Sequence, residues 1–149
     1  MKFWRGIVSA AAAICVGTAM SASAQMIDTP AEFAVIMDHE TGQILYSKRG
    51  DELMIPASMT KMMTAFVVFE LIERGEISLT DKFTVSEDAW RRGGFPSGTS
   101  TMGLKPRDTP TVEELLHGVI TMSGNDACIV LAEGISGSEA AFSARMTQI

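Results

Sequence analysis

Between Met62 and Ile72 the chain reads MMTAFVVFELI. Wound as a helix, these residues are apolar on nearly all sides, and a helix without a polar face is buried within a domain rather than laid on its surface. Other elements of the fold must therefore be built around it. Its limits are marked. Pro56 is tolerated at a helix entry and not inside one. Gly75 stops the helix after Glu73 and Arg74 return to polar character. Within Ile55–Glu70 the only cation is Lys61, and Ser58 stands three residues before it.

The N-terminus has a different character. Lys2 and Arg5 precede the apolar run GIVSAAAAICVGTAM, and Ala22-Ser23-Ala24 has the small-x-small form of a cleavage site. This is the pattern of a secretory signal peptide over residues 1–24. The run is short for a span of about 20 residues, and Cys15 lacks the upstream leucine of a lipoprotein signal. Residues 25–149 then form one domain by length. The chain carries a net charge of −6, and losing Lys2 and Arg5 makes the remainder more acidic. Nucleic acid is disfavoured as a partner, and no basic patch invites anionic lipid. Only Cys128 remains after cleavage, so no internal disulfide is expected; Cys128 reads as a buried small residue. No zinc spacing occurs, and His39 and His117 stand alone, so neither a metal nor another cofactor is expected.

Along the chain, Phe33–Met37 and Gln43–Ser47 read as a hairpin turned by Asp38–Gly42. A short strand is expected around Phe83–Val85. The stretch RRGGFPSGTSTMG reads as a loop. Thr111 and Glu114 make a T-x-x-E capping box that opens a helix, which breaks at MSGND. A further helix runs through ACIVLAE to Gly134, with Asp126 open between capping it and ordering the site and the cap favoured, and Ser138 caps the last. Strands followed by several helices make an α+β chain.

Three residues apart on a helix, Ser58 and Lys61 share one face. At a helix start, unpaired N–H groups and the dipole favour negative charge, which helps an attacking oxygen and an adjacent oxyanion. Serine needs a base within reach to act as a nucleophile. A lysine on an apolar helix is one that burial makes basic at neutral pH. The same pair also fits a plain cap and a lysine whose head reaches water. Ser123 and Asn125, in a helix break, supply a second hydroxyl and an amide, with Gly124 letting the backbone come close; they also fit simple caps.

The segments PASMTK at Pro56–Lys61 and SGND at Ser123–Asp126, with MDHETGQILYSK and TVEELLHGVITMSGNDACIVLAEG around them, resemble the penicillin-binding proteins of the D-alanyl-D-alanine carboxypeptidase type. The superfamily's S-x-x-K and serine-x-asparagine motifs are both present, and the resemblance runs from Phe33 to the end. It implies the penicillin-binding transpeptidase fold, with Ser58 as nucleophile of an acyl-enzyme and Lys61 as its base. Ser123 would relay protons, Asn125 would bind the substrate's backbone amide, and the Ser58 N–H would belong to the oxyanion hole. It implies peptidoglycan stem peptides ending in D-Ala-D-Ala as substrate and β-lactams as acylating mimics. The place of work would be the periplasm or the outer face of a bacterial cytoplasmic membrane. Association with that membrane would run through a C-terminal anchor absent from these residues.

The third motif of the superfamily, Lys-Thr-Gly, does not occur. The expectation is therefore an N-terminal part of such an enzyme, without the C-terminal strands and inactive alone, since one lost oxyanion donor costs roughly 100- to 1,000-fold. The alternatives are a class A β-lactamase, disfavoured by Gly124 where an aspartate is wanted, a D,D-endopeptidase, or a non-catalytic truncated product.

Overall fold

A computed structural model of the chain describes residues 27–149, so the expected signal peptide and Cys15 lie outside the described residues. The chain divides into two compact units at Leu53 and Met54. In the first, β1 (Ala34–Met37) pairs antiparallel with β2 (Ile44–Lys48), in the register Ala34 to Lys48 and Val35 to Ser47. Both strands fall within a residue of their expected limits. The turn is built by Asp38. Its carboxylate accepts from the Thr41 hydroxyl at 2.6 Å and the Thr41 N–H at 2.7 Å. These bonds, the hydroxyl first, hold its pKa below the ordinary 3.8. Gly42 supplies the left-handed backbone, φ +71°, that closes the turn. Arg49 lies over the Phe33 ring at 4.3 Å and pairs with Glu32 and Glu52.

The second unit is helical. A 3₁₀ turn at Ala57–Met59 leads into α1 (Thr60–Glu73), followed by α2 (Glu87–Gly93), a 3₁₀ turn at Phe95–Ser97, α3 (Val112–Met122), α4 (Asn125–Ser136) and α5 (Glu139–Gln148). Helix α4 packs against α2, α3 and α5. Its Ala127, Val130 and Leu131 are fully buried, in one core with Val68, Val85, Ala89, Val112 and Leu115. A smaller cluster joins Val67 and Leu71 of α1 to Ala132 and Phe142. Burying each such valine or leucine stabilises the fold by about 1.5–3 kcal/mol. The capping box is present in both directions: Thr111 Oγ1 accepts from the Glu114 N–H, and Glu114 Oε2 accepts from the Thr111 N–H at 2.8 Å. Ser138 caps α5 as expected. Arg92 joins α2 to α5 through Asp88 and Glu139, an exposed network of the kind worth little.

Three expectations need correction. Helix α1 buries one face, not its whole circumference: Thr64, Val67, Val68 and Leu71 are covered, while Met62 is 74 % exposed and Phe66 and Phe69 about half. Among the described residues, α3, α4 and α5 supply the side chains packed on it. No strand forms at Phe83–Val85. The segment makes backbone bonds to Pro110, Asp108 and Arg107, with one bridge between Lys82 and Thr111. The partner segment carries Pro106 and Pro110, which have no N–H for a ladder. Helix α4 also continues past Gly134 to Ser136 and ends at Gly137, φ +76°. Gly134 is a contact residue, because a methyl group there would lie 2.3 Å from Cγ of Phe83.

Gly134→Ala should therefore lower stability by about 1 kcal/mol or more, although alanine is the better helix former. Urea denaturation of Gly134→Ala, alone and combined with Phe83→Leu, measures this. The double variant should regain most of the loss.

Candidate active site

The 3₁₀ turn before α1 presents Ser58 on the surface, and the first turn of α1 presents Lys61, half-buried. The spacing read from the sequence brings them together: Lys61 Nζ donates to Ser58 Oγ at 3.3 Å. The same contact runs in reverse when the amine is neutral. Ala57, directly before Ser58, has φ +47°. A left-handed backbone at a residue bearing a Cβ costs about 1–2 kcal/mol, and such strain collects where the backbone must aim a side chain.

The second pair enters from the break between α3 and α4. Ser123 ends α3 in the left-handed region, φ +53°, and Gly124 caps α4. A methyl group on Gly124 would lie 3.1 Å from the Met102 nitrogen and 3.3 Å from the Gly118 oxygen. Its smallness thus serves the close approach of two backbone segments. Ser58, Lys61 and Ser123 line one cavity of about 310 Å³ with Met62, Ala65, Val119 and Ile120. Lys61 also borders a second, equally large cavity with Asn125, Thr64 and Cys128. Lys61 is thus the residue common to both. A larger recess of about 830 Å³, around Glu70, Arg74 and Arg145, contains none of the four candidates.

Of the two readings open for Asp126, a cap of α4 or a group that orders the site, the structure favours the second: the N-cap of α4 is Gly124. The Asp126 side chain is fully buried and accepts from Thr101 Oγ1 at 2.5 Å. It also accepts from the N–H groups of Met102 at 3.0 Å, Gly103 and Leu104 at 3.1 Å, and Ala127 at 2.9 Å. A buried carboxylate is tolerable when its lone pairs are filled in this way. The effect is to dock the loop after the 3₁₀ turn onto the start of α4. There the Asn125 N–H donates to Ser100 O at 2.8 Å, and Asn125 Nδ2 donates to Thr99 Oγ1 at 2.9 Å. Gly93, at the end of α2, lies flush on the same turn, with room for no side chain: a methyl group would sit 2.4 Å from the Asp126 nitrogen. Thr99 and Thr101 were invisible in the sequence. Their hydroxyls lie in a Gly/Pro/Ser/Thr loop, and their partners are 25 and 26 residues away.

Cys128 is half-buried, and burial pushes its thiol up to about 11 against the opposing pull of Lys61. It stays protonated at neutral pH, as an inert residue should. His117 sits on the outer side of α3 beside Phe69, Leu79 and Glu113, and His39 is in the hairpin turn; neither lines the cavities at Lys61. Among the described residues no three metal-ligating side chains cluster.

Residues 18–149 match a family model described as D-alanyl-D-alanine carboxypeptidase. The chain is 43% identical over 126 residues to the D-alanyl-D-alanine carboxypeptidase DacC of Escherichia coli (strain K12), covering 81% of this chain and 31% of that protein. The crystal structure of the D-alanyl-D-alanine carboxypeptidase DacD from Francisella tularensis superposes with a TM-score of 0.74 at 38% identity, over 82% of this chain and 28% of that one. Penicillin-binding protein D2 from Listeria monocytogenes, in its ampicillin-bound form, gives 0.63 at 32% identity, over 79% and 44%. The chain spans less than a third of the curated relatives it matches first.

Removing the Asp126 carboxylate leaves several buried donors without a partner, each loss costing about 1–3 kcal/mol. Asp126→Ala should lower stability by about 3 kcal/mol or more in chemical denaturation. It should also free the Met102, Gly103 and Leu104 amides to hydrogen exchange. Asp126→Asn should recover little, because its NH₂ meets donors.

Proposed function

The chain belongs to the D-alanyl-D-alanine carboxypeptidase family, and from that membership we propose that its residues form the nucleophile side of a serine D-Ala-D-Ala carboxypeptidase site. The observation that carries the reading is the 3.3 Å contact between Lys61 Nζ and Ser58 Oγ, in a cavity that Ser123 also lines. The substrate is a peptidoglycan stem peptide ending in D-Ala-D-Ala. Lys61 Nζ takes the hydroxyl proton as Ser58 Oγ attacks the carbonyl carbon of the terminal peptide bond. The oxyanion is stabilised by the Ser58 N–H at the start of the helix. The C–N bond breaks, the leaving D-alanine nitrogen receives the proton through Ser123, and an ester remains on Ser58. Water then attacks the ester, the proton returns along the same groups, and a stem peptide shortened by one D-alanine is released.

Asn125 holds the substrate's backbone amide. A β-lactam enters the same path when Ser58 opens its ring; that the Listeria relative is known in an ampicillin-bound form supports β-lactams as ligands of this site. The work is done outside the cytoplasm, with residues 1–24 as the export signal. A D,D-endopeptidase is the nearest second reading, and a cross-linked peptide dimer assayed beside the pentapeptide separates the two by whether a severed cross-link or free D-alanine appears.

Release of D-alanine from a synthetic stem pentapeptide tests the proposal in the full chain. Ser58→Ala should abolish release. Lys61→Met should slow it by roughly 100- to 10,000-fold, the usual range for a lost general base. Wild-type rates in Ser58→Ala would refute the assignment.

A further inference from the structure

Four groups beside the candidate site form a hydrogen-bond chain with one allowed direction. The Gly94 carbonyl has no proton to give. Ser97 Oγ lies 2.7 Å from it, so the Ser97 hydroxyl proton points at that oxygen. Ser97 Oγ also lies 2.7 Å from Thr99 Oγ1. With its own proton committed, Ser97 accepts there, as it accepts from the Thr99 N–H at 3.2 Å. The Thr99 proton is thereby committed to Ser97. What remains on Thr99 Oγ1 is a lone pair, 2.9 Å from the Asn125 side chain. An amide oxygen facing it would set lone pair against lone pair, so the NH₂ end must face Thr99.

The two ends of this contact are held in place separately. The Asn125 main chain is tied to Ser100 O at 2.8 Å. The residues after Ser100 are docked on Asp126. Donor and acceptor are therefore brought together by the fold and do not have to find each other.

We propose that Thr99, polarised by Ser97, is the positioning residue of Asn125. It takes one N–H of the amide and so fixes which way round the amide stands. The other N–H and Oδ1 are then offered in one order on the cavity shared with Lys61. A substrate peptide group carries one donor and one acceptor, and only one of the two amide orientations matches it. The amide orientation follows from the hydrogen-bond chain alone; its effect on acylation rests on the function proposed above for Asn125.

The test uses the full chain with Thr99→Val, which keeps the shape and removes the lone pair, and Thr99→Ser, which keeps the hydroxyl. The first readout is the ¹H–¹⁵N signal of the Asn125 side-chain amide, identified by its loss in Asn125→Asp. Thr99→Val should speed its hydrogen exchange roughly two- to tenfold, the worth of one ordinary hydrogen bond, and Thr99→Ser should not. The backbone amides of Met102–Leu104 should stay in place throughout. If Thr99→Val loses the loop, Ser97→Ala, which removes only the polarising hydroxyl, gives the same readout more weakly. Unchanged Asn125 exchange in a folded Thr99→Val or Ser97→Ala chain overturns the inference.

The second readout is the rate at which a labelled penicillin acylates the chain. It should fall by a similar factor in Thr99→Val, recover in Thr99→Ser, and be indifferent to Thr99 once Asn125 is alanine. If Asn125→Ala slows acylation while Thr99→Val does not, the positioning role is wrong. If Asn125→Ala itself has no effect, the function proposed for Asn125 fails, and the amide exchange alone decides the orientation.

Discussion

The buried carboxylate of Asp126 is the interaction on which the arrangement of the second unit depends. Five donors from two segments converge on it, four of them from the loop at Thr101–Leu104. Such a group cannot be half-satisfied: fully bonded it locks two segments together, and unbonded it is costly. The start of α4, the end of α2 and the intervening loop are organised around it. Asn125 sits one residue before it, and Ser123 three. The position of both relative to Lys61 is thus inherited from a contact that touches neither.

The strain in the backbone falls in the same region. Of the four non-glycine residues with positive φ among the described residues, two are Ala57 and Ser123, next to and at the proposed reacting hydroxyls. The α1 entry and the α3–α4 break each aim a serine at one cavity. The burial of Val67, Val68 and Leu71 in the helical core stabilises the surroundings enough to hold these conformations.

Local signals were legible in the sequence because their physics is local. The Thr111–Glu114 box, the Ser138 cap and the i, i+3 meeting of Ser58 with Lys61 each depend on residues a turn or less apart, and the hairpin on two strands joined directly by its own turn. The resemblance carried by the two motifs is borne out by the family match. What failed was non-local. The cap is the favoured reading of Asp126 until its partners 22 to 25 residues away are known. Gly134 reads as a stop until Phe83 is seen to occupy the space where its side chain would be. The apolar circumference of α1 is accurate as composition. It says what kind of neighbour each face accepts, and not which neighbours the described residues supply. Thr99 carries no sequence signal, since a threonine in a loop gains meaning only from the amide opposite.

The central claim is that Ser58, and not the equally small and nearby Ser123, becomes covalently modified. Peptide mapping by mass spectrometry after incubation with a labelled penicillin addresses it most directly, because cleavage after Arg49 and Lys61 isolates Ser58 from Ser123. The account predicts the adduct on the peptide of residues 50–61, fragmented to Ser58. An adduct on Ser123, or on any other side chain while Ser58 stays unmodified, would contradict it.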